Sequence, residues 1–250
     1  MTNGDPSTDD DRQTGLVTYS RTLLAPAELA RRDRAYAALT EAVRELCDAQ
    51  LRTEVDLEEV GAVAAEVRAV TARLLTSARE RSFGIELGHD GGAREHGNAV
   101  LGLRNPFACA VGARAMFWDD RGARATLELG ALYEGPPGCV HGGVLALVFD
   151  QLFTEAAAAV GQVGMTAELT VAYRRPIPLG TVTVDAWLEV VDGRKRRMHA
   201  TCHDGDGNLT AEAEALLVLP RWLEGSDAIW PKRPPVDALD GDVSLDPSVT

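Results

Sequence analysis

The sequence predicts an α+β protein: a continuous antiparallel sheet wrapped around one long apolar helix, with a helical hairpin ahead of it. Three observations carry that expectation. Between residues 105 and 220 the elements read two strands, one apolar helix, then three or four strands. No β-α-β alternation interrupts this order, which disfavours a doubly wound parallel sheet. Upstream, two stretches repeat apolar residues at helical spacing instead.

Residues 1–15 are polar and acidic and are expected to form a disordered tail. Pro26 opens a helical pattern to about Leu51, with Leu29, Tyr36, Leu39, Val43 and Leu46 recurring at helical spacing. Asp56 is placed to cap a second helix to about Arg81, whose Leu57, Val60, Val63, Val67, Val70 and Leu74 share one face. Residues 16–81 therefore read as a helical hairpin with a packing or dimer-stabilising role. Residues 82–104 are rich in glycine and poorly periodic, and read as a connector. The strands begin with Ala108–Trp118 and Gly122–Tyr133, which flank a turn at Asp119-Asp-Arg-Gly. The helix follows from Val144 to Ala159. Strands are then expected over Thr166–Tyr173, Thr181–Val190, Arg194–His203 and Leu209–Leu219, with a hairpin turn at Asp204-Gly-Asp-Gly. Residues 221–250 are rich in Pro and Asp and read as a tail, with Trp222 and Trp230 as candidates for docking.

Composition narrows the function. The formal net charge is −13 over 250 residues, which argues against a nucleic-acid partner. No apolar run approaches the roughly 20 residues of a membrane span. The stretch Met1–Gln13 is acidic and polar, the opposite of a secretory or transit signal. Cys47, Cys109, Cys139 and Cys202 have no C-x-x-C spacing, so reduced thiols and a cytoplasmic location are expected. His89, His96, His199 and His203 have no zinc-ligand spacing, and Asp204-Gly-Asp-Gly lacks the other ligands of a calcium loop. No metal and no separate cofactor are expected.

The chemistry concentrates in Tyr133-Glu-Gly-Pro-Pro-Gly-Cys-Val-His141-Gly142-Gly143 and the helix that follows. A helix starting at Gly142 leaves its first N–H groups without intrahelical partners, and glycine has no side chain to shield them. Such a start favours negative charge developing on a carbonyl oxygen. Asp150 lies in a mostly apolar segment, where an ionised side chain is expensive unless paired or functional. No G-x-S-x-G elbow and no Cys-His signature is present.

These residues carry a resemblance. Tyr133-Glu-Gly-Pro-Pro-Gly, His141-Gly142-Gly143, Phe149-Asp150, Gly164-Met165-Thr166-Ala167, Tyr173-Arg174-Arg175-Pro176-Ile177-Pro178 and Gly193-Arg194-Lys195 fall in order. Over roughly residues 100–219 the chain resembles the hotdog-fold acyl-CoA thioesterases, in particular their PaaI-like subgroup. The resemblance implies a hotdog fold over residues 105–220 and hydrolysis of an acyl-CoA, with coenzyme A entering only as part of the substrate. It implies that Asp150 is general base or nucleophile and that Thr166 holds the attacking water. His141 and the Gly142 N–H would polarise the thioester carbonyl, with Gly143 beside them. Gln151 stands where related sequences often carry Glu. The same fold could instead serve a non-catalytic acyl-CoA-binding or regulatory module, but a binder has no use for Asp150 and Thr166. A hotdog hydratase would need a His–acid pairing in a motif this chain lacks.

Two expectations come from geometry and charge. Asp150 stands eight positions after Gly142, about 12 Å along one helix. Both groups must come within about 3 Å of the reacting atoms, so two antiparallel copies should share the site, giving a homodimer or a dimer of dimers. The anionic substrate needs cations: Arg174-Arg175 and Arg194-Lys195-Arg196-Arg197 are the candidates, although alternate residues of a strand face opposite ways.

Overall fold

In the computed structural model the described residues are 12–14, 17–80, 84–88, 92–109, 116–119 and 121–221. The chain forms β1 (Arg12–Thr14), β2 (Val17–Arg21), α1 (Pro26–Arg52), α2 (Leu57–Leu75), β3 (Ile85–Leu87) and β4 (Ala93–Arg94). It continues as β5 (Met116–Asp119), β6 (Gly122–Leu129), a 3-10 turn Ala131–Tyr133, α3 (Gly142–Ala159), β7 (Met165–Tyr173), β8 (Gly180–Asp192), β9 (Lys195–Asp204) and β10 (Leu209–Val218).

The large sheet runs β5-β6-β8-β9-β10-β7, antiparallel throughout. It wraps α3, whose Leu145, Val148, Phe149, Leu152, Phe153, Ala156 and Ala157 are buried at helical spacing. One inward-facing row explains the close fit. Ala123 pairs with Ala186, Ala186 with Ala200 and Ala200 with Ala213, so four adjacent strands present only methyl groups along that row. Larger side chains of α3, Phe149 and Phe153 among them, fill the remaining space and are fully buried.

By length and composition alone α3 could cross a membrane. The sequence reading found no such run. Here the apolar stripe of α3 is buried within the chain's own sheet, as in the core helix of a globular domain.

The β5–β6 turn shows why one residue type is demanded. Asp119 Oδ1 accepts from the N–H groups of Arg121 (2.9 Å) and Gly122 (3.1 Å). Gly122 has φ +154°, and a Cβ there would lie 2.1 Å from the Ala186 carbonyl oxygen. Gly122→Ala should therefore cost about 3 kcal/mol through backbone strain and overpacking. Urea denaturation would measure it, and a loss under about 1 kcal/mol would refute the argument.

The N-terminal half departs from expectation in three ways. First, β1 lies inside the expected tail and β2 inside the expected hairpin; residues 1–11 lie outside the described residues. Second, the connector contains β3 and β4, and Val100 joins the main core. The four short strands form a second sheet, β1-β2-β3-β4, with β2 and β3 parallel across the intervening helices. Strands of two to five residues whose partners are distant in sequence leave no alternation to read. Third, α1 and α2 form where expected, and Asp56 caps α2 by accepting from Glu59 N–H at 2.9 Å. Yet α2 ends at Leu75 rather than Arg81, and it has no buried residue, so its apolar stripe is not closed against α1. The 110–115 part of the first expected strand and the C-terminal tail beyond Arg221, with Trp222 and Trp230, lie outside the described residues.

An ionic cluster joins α1 to the small sheet. The Glu86 carboxylate accepts from Arg32 Nη1 at 2.8 Å and Nη2 at 2.5 Å, and its Oε2 lies 2.9 Å from His96 Nε2. Asp33 accepts from Arg32 Nη2 at 3.2 Å and from Arg94 Nε at 2.7 Å. Arg104 lies 3.4 Å over the Tyr36 ring. Burial alone would raise the Glu86 carboxyl, but the hydrogen bonds from His96 and Arg32 and their charges outweigh it and hold it far below the usual carboxylate range.

Candidate active site

The loop before α3 is fixed by backbone hydrogen bonds on both sides. His141 N–H donates to the Tyr133 carbonyl (2.8 Å), Val140 N–H to Ile177 (2.8 Å) and Gly135 N–H to Cys139 (2.9 Å). Tyr133 in turn donates its hydroxyl to the Phe107 carbonyl at 2.8 Å. Arg44 of α1 donates to the carbonyls on either side of it, Pro106 (3.3 Å) and Ala108 (2.8 Å). Burial pushes the Tyr133 phenol up to about 12, so it remains a donor. Sequence reasoning missed Arg44 and the Tyr133 hydroxyl; no local pattern ties residue 44 to residue 108.

His141 is the N-cap of α3. Its Nδ1 accepts from Gly143 N–H at 3.0 Å. A ring nitrogen that accepts carries no proton, so the neutral imidazole holds its proton on Nε2 and offers it as a donor. The N–H of Gly143, a residue expected to contact substrate, is engaged in this cap. The Gly142 N–H has no acceptor among the described residues and remains available. Tyr173 closes over this turn, donating its hydroxyl to the Gly142 carbonyl at 2.6 Å. A Cβ at position 142 would sit 3.1 Å from the Tyr173 ring and hydroxyl, a contact tight enough that Tyr173 would have to shift by a few tenths of an ångström. The corner thus presents two donors, Gly142 N–H and His141 Nε2–H, the equipment of an oxyanion site.

Asp150 lies away from the buried stripe of α3 and is half-buried. Its carboxylate has no hydrogen bond or ion pair among the described residues. The carboxylate that α3 buries completely is Glu155. It accepts from Trp118 Nε1 at 3.1 Å and Gln151 Nε2 at 2.9 Å, and Gln151 accepts from Asn98 Nδ2 at 2.9 Å. Gln151 therefore supports a buried polar chain, a role its i, i+4 spacing to Glu155 could have signalled.

Thr166 is the second residue of β7, opposite Leu217, while Tyr173 ends the strand above Gly142. Seven residues of strand separate the two ends, about 23 Å. Within one chain, Thr166 and the His141–Gly142 corner thus lie at opposite ends of β7.

The basic residues divide the same way. Arg174 and Arg175 follow Tyr173, whereas Lys195 shares a register row with Val218 and Met165 at the other end of β7. Arg174 is paired with Glu212 at 2.7 Å, and Arg194 donates to the Leu219 carbonyl at 2.9 and 2.7 Å. Arg196 is buried and bound to Gly193 and Gln162, whereas Lys195 and Arg197 are exposed on the opposite face, as strand alternation requires. Burial pushes the Cys109 thiol up to about 11, so it is no thiolate nucleophile. An open groove of about 880 Å³ lined by Arg121, Arg124 and Trp187 lies by the β5–β6 turn, away from this corner.

Comparison with known proteins places the chain. The Thioesterase superfamily profile matches residues 137–211, which span the corner, α3 and most of the sheet. Acyl-coenzyme A thioesterase THEM4 of Xenopus laevis is 45% identical over 112 residues, covering 41% of this chain and 48% of its own length. The protein of the same name from Mus musculus is 38% identical over 108 residues, covering 42% and 46%. The chain thus spans about half the length of these relatives. A crystal structure of a thioesterase superfamily protein aligns with a TM-score of 0.62 at 31% identity, covering 74% of this chain and 90% of its own. That share exceeds what residues 105–220 make up, so the likeness reaches into the N-terminal half. With a structure 31% identical aligned over 90% of its own length, and the profile match across the His141–Gly142 corner, the chain belongs to the thioesterase superfamily.

Proposed function

We propose that the chain hydrolyses an acyl-CoA thioester to a free acid and coenzyme A, at a site shared by two subunits. The carrying observation is the corner at Gly142: two donors stand on adjacent residues there, and a carboxylate unpaired among the described residues follows on the same helix. The relatives named acyl-coenzyme A thioesterase support the substrate class. The thioester carbonyl oxygen would accept from Gly142 N–H and His141 Nε2–H as negative charge builds on it. Asp150 would take a proton from water or attack directly, and Thr166 would hold the water. No metal or separate cofactor enters this chemistry. A cytoplasmic location is part of the same reading.

The shared site answers the separations within one chain. Among the described residues β7 is an edge strand, paired only with β10. A two-fold axis pairing two β7 edges antiparallel would set the Tyr173 end of one beside the partner's Thr166. It would also bring Arg174 and Arg175 to the end holding the partner's Lys195, where they could meet the phosphates of coenzyme A.

Mixing two inactive variants tests both the reaction and the sharing. Asp150→Asn removes the base. Gly142→Val drives a side chain into the Tyr173 ring, at the 3.1 Å approach noted above. After unfolding and random re-association of equal amounts, about half the dimers are mixed, each with one intact site of two. Release of free thiol from acyl-CoA should return to about a quarter of the parent rate. No recovery, with mixed dimers confirmed by native mass spectrometry, would place the whole site in one chain.

A further inference from the structure

We propose that α2 is an interface between copies of this chain, pairing antiparallel with α2 of a second copy. The helix has no buried residue of its own, yet Val60, Val63, Val67, Val70 and Leu74 alternate three and four apart, the seam of a coiled coil. These side chains remain exposed, from 38% at Val63 and Val67 to 53% at Leu74. Solvated apolar stripes of this regularity mark a binding face.

The charges select both occupant and direction. Glu58 and Glu59 lie in the first turn and Arg73 in the last, so the helix is acidic at one end and basic at the other. An identical helix running the opposite way complements that gradient and opposes the macrodipoles. When Val67 packs against the partner's Val70, Val63 meets the partner's Leu74, and Glu66 flanks the seam opposite the partner's Arg73. The two-fold axis repeats that ion pair, as an isologous contact requires. Neither Glu66 nor Arg73 has an ion pair among the described residues. In a parallel pairing Glu59 and Glu66 would face Ala64 and Thr71, and no charge would select it. A single helix pair of this length buries less than the ~1,200–2,000 Å² of a stable interface. It therefore adds affinity to an assembly that other contacts also hold, and its loss reads out on dilution.

Sedimentation of the full chain over a dilution series measures the dissociation constant directly, whether or not the chain hydrolyses any thioester. Val67→Glu with Val70→Glu buries unpaired charge in the seam and should raise the constant roughly 100-fold. Glu66→Arg or Arg73→Glu alone sets like charges together and should raise it roughly tenfold. The two combined restore opposite charges and should return it to within about threefold of the parent. Because no residue of α2 is buried among the described residues, these changes leave the monomer fold intact, which circular dichroism verifies. A parent that is monomeric throughout, a seam variant that dissociates like the parent, single charge changes without effect, or a swap that does not restore association would each overturn the proposal.

Discussion

Asp150→Asn should lower thioester turnover by roughly 10²–10⁴-fold while leaving stability almost unchanged. The amide keeps the shape of the side chain but cannot accept a proton from water. Little structural loss is expected, because the Asp150 carboxylate is half-buried and bonds to no described group. The fall should lie in kcat, since the carboxylate acts on the reacting water rather than on the bound coenzyme A. A single-turnover thiol-release assay separates that from binding. Activity within a factor of two of the parent would remove Asp150 from the mechanism.

That carboxylate also shows how far the sequence can be read. Its position on the helix, together with His141 and Gly142, was legible because the glycines, the turn and the helix start have local causes. Its environment was not. The apolar composition of the segment makes an ionised side chain there look costly, but composition does not say which side of a helix meets the core. The stripe through Leu145, Phe149, Leu152 and Phe153 does, and it leaves Asp150 off-centre and Glu155 inside. Strand alternation made β8 to β10 legible to within a residue or two, since each has one buried face, and β7 was bounded by its turn residues although none of its positions is fully buried. The same alternation separated Arg196 from Lys195 and Arg197. It could not reveal that Arg174 and Lys195 lie at opposite ends of the sheet, because register across strands depends on which strands pair. β3 and β4 escaped for the same reason: their partners are remote, and their few residues carry no period.

The second large effect concerns the N-terminal half and is thermodynamic. Glu86→Gln should destabilise the fold at neutral pH by about 3–5 kcal/mol, the cost of removing one partner from a buried ion pair. Glu86 is 8% exposed, and its loss leaves Arg32 with a neutral amide in place of its bidentate partner and only the longer contact to Asp33. The pH dependence has a definite sign. The folded-state pKa of Glu86 is lowered from the ordinary value of 4.5, so the native state binds fewer protons there than the unfolded state does. Its contribution is fully present above the unfolded value and is lost as pH falls through that value toward the folded one. The gap between parent and Glu86→Gln in urea denaturation should thus be widest near pH 7 and narrow steadily below about pH 4.5. A gap of the same size at pH 3 would show that the carboxylate charge is not what stabilises the cluster.

The alanine row under α3 has a consequence for the entropy of folding. Ala123, Ala186, Ala200 and Ala213 have no side-chain rotamers to lose on burial, whereas a buried Leu or Ile loses about 0.5–1 kcal/mol of rotamer freedom. Four such positions therefore spare the chain roughly 2–4 kcal/mol of ordering in the core under α3. They also leave that part of the core with a single arrangement, since a methyl group has no alternative rotamer in which to repack. The depth of the helix in the sheet, and with it the height of the Gly142 corner above the sheet edge, is fixed by backbone geometry rather than by side-chain choice.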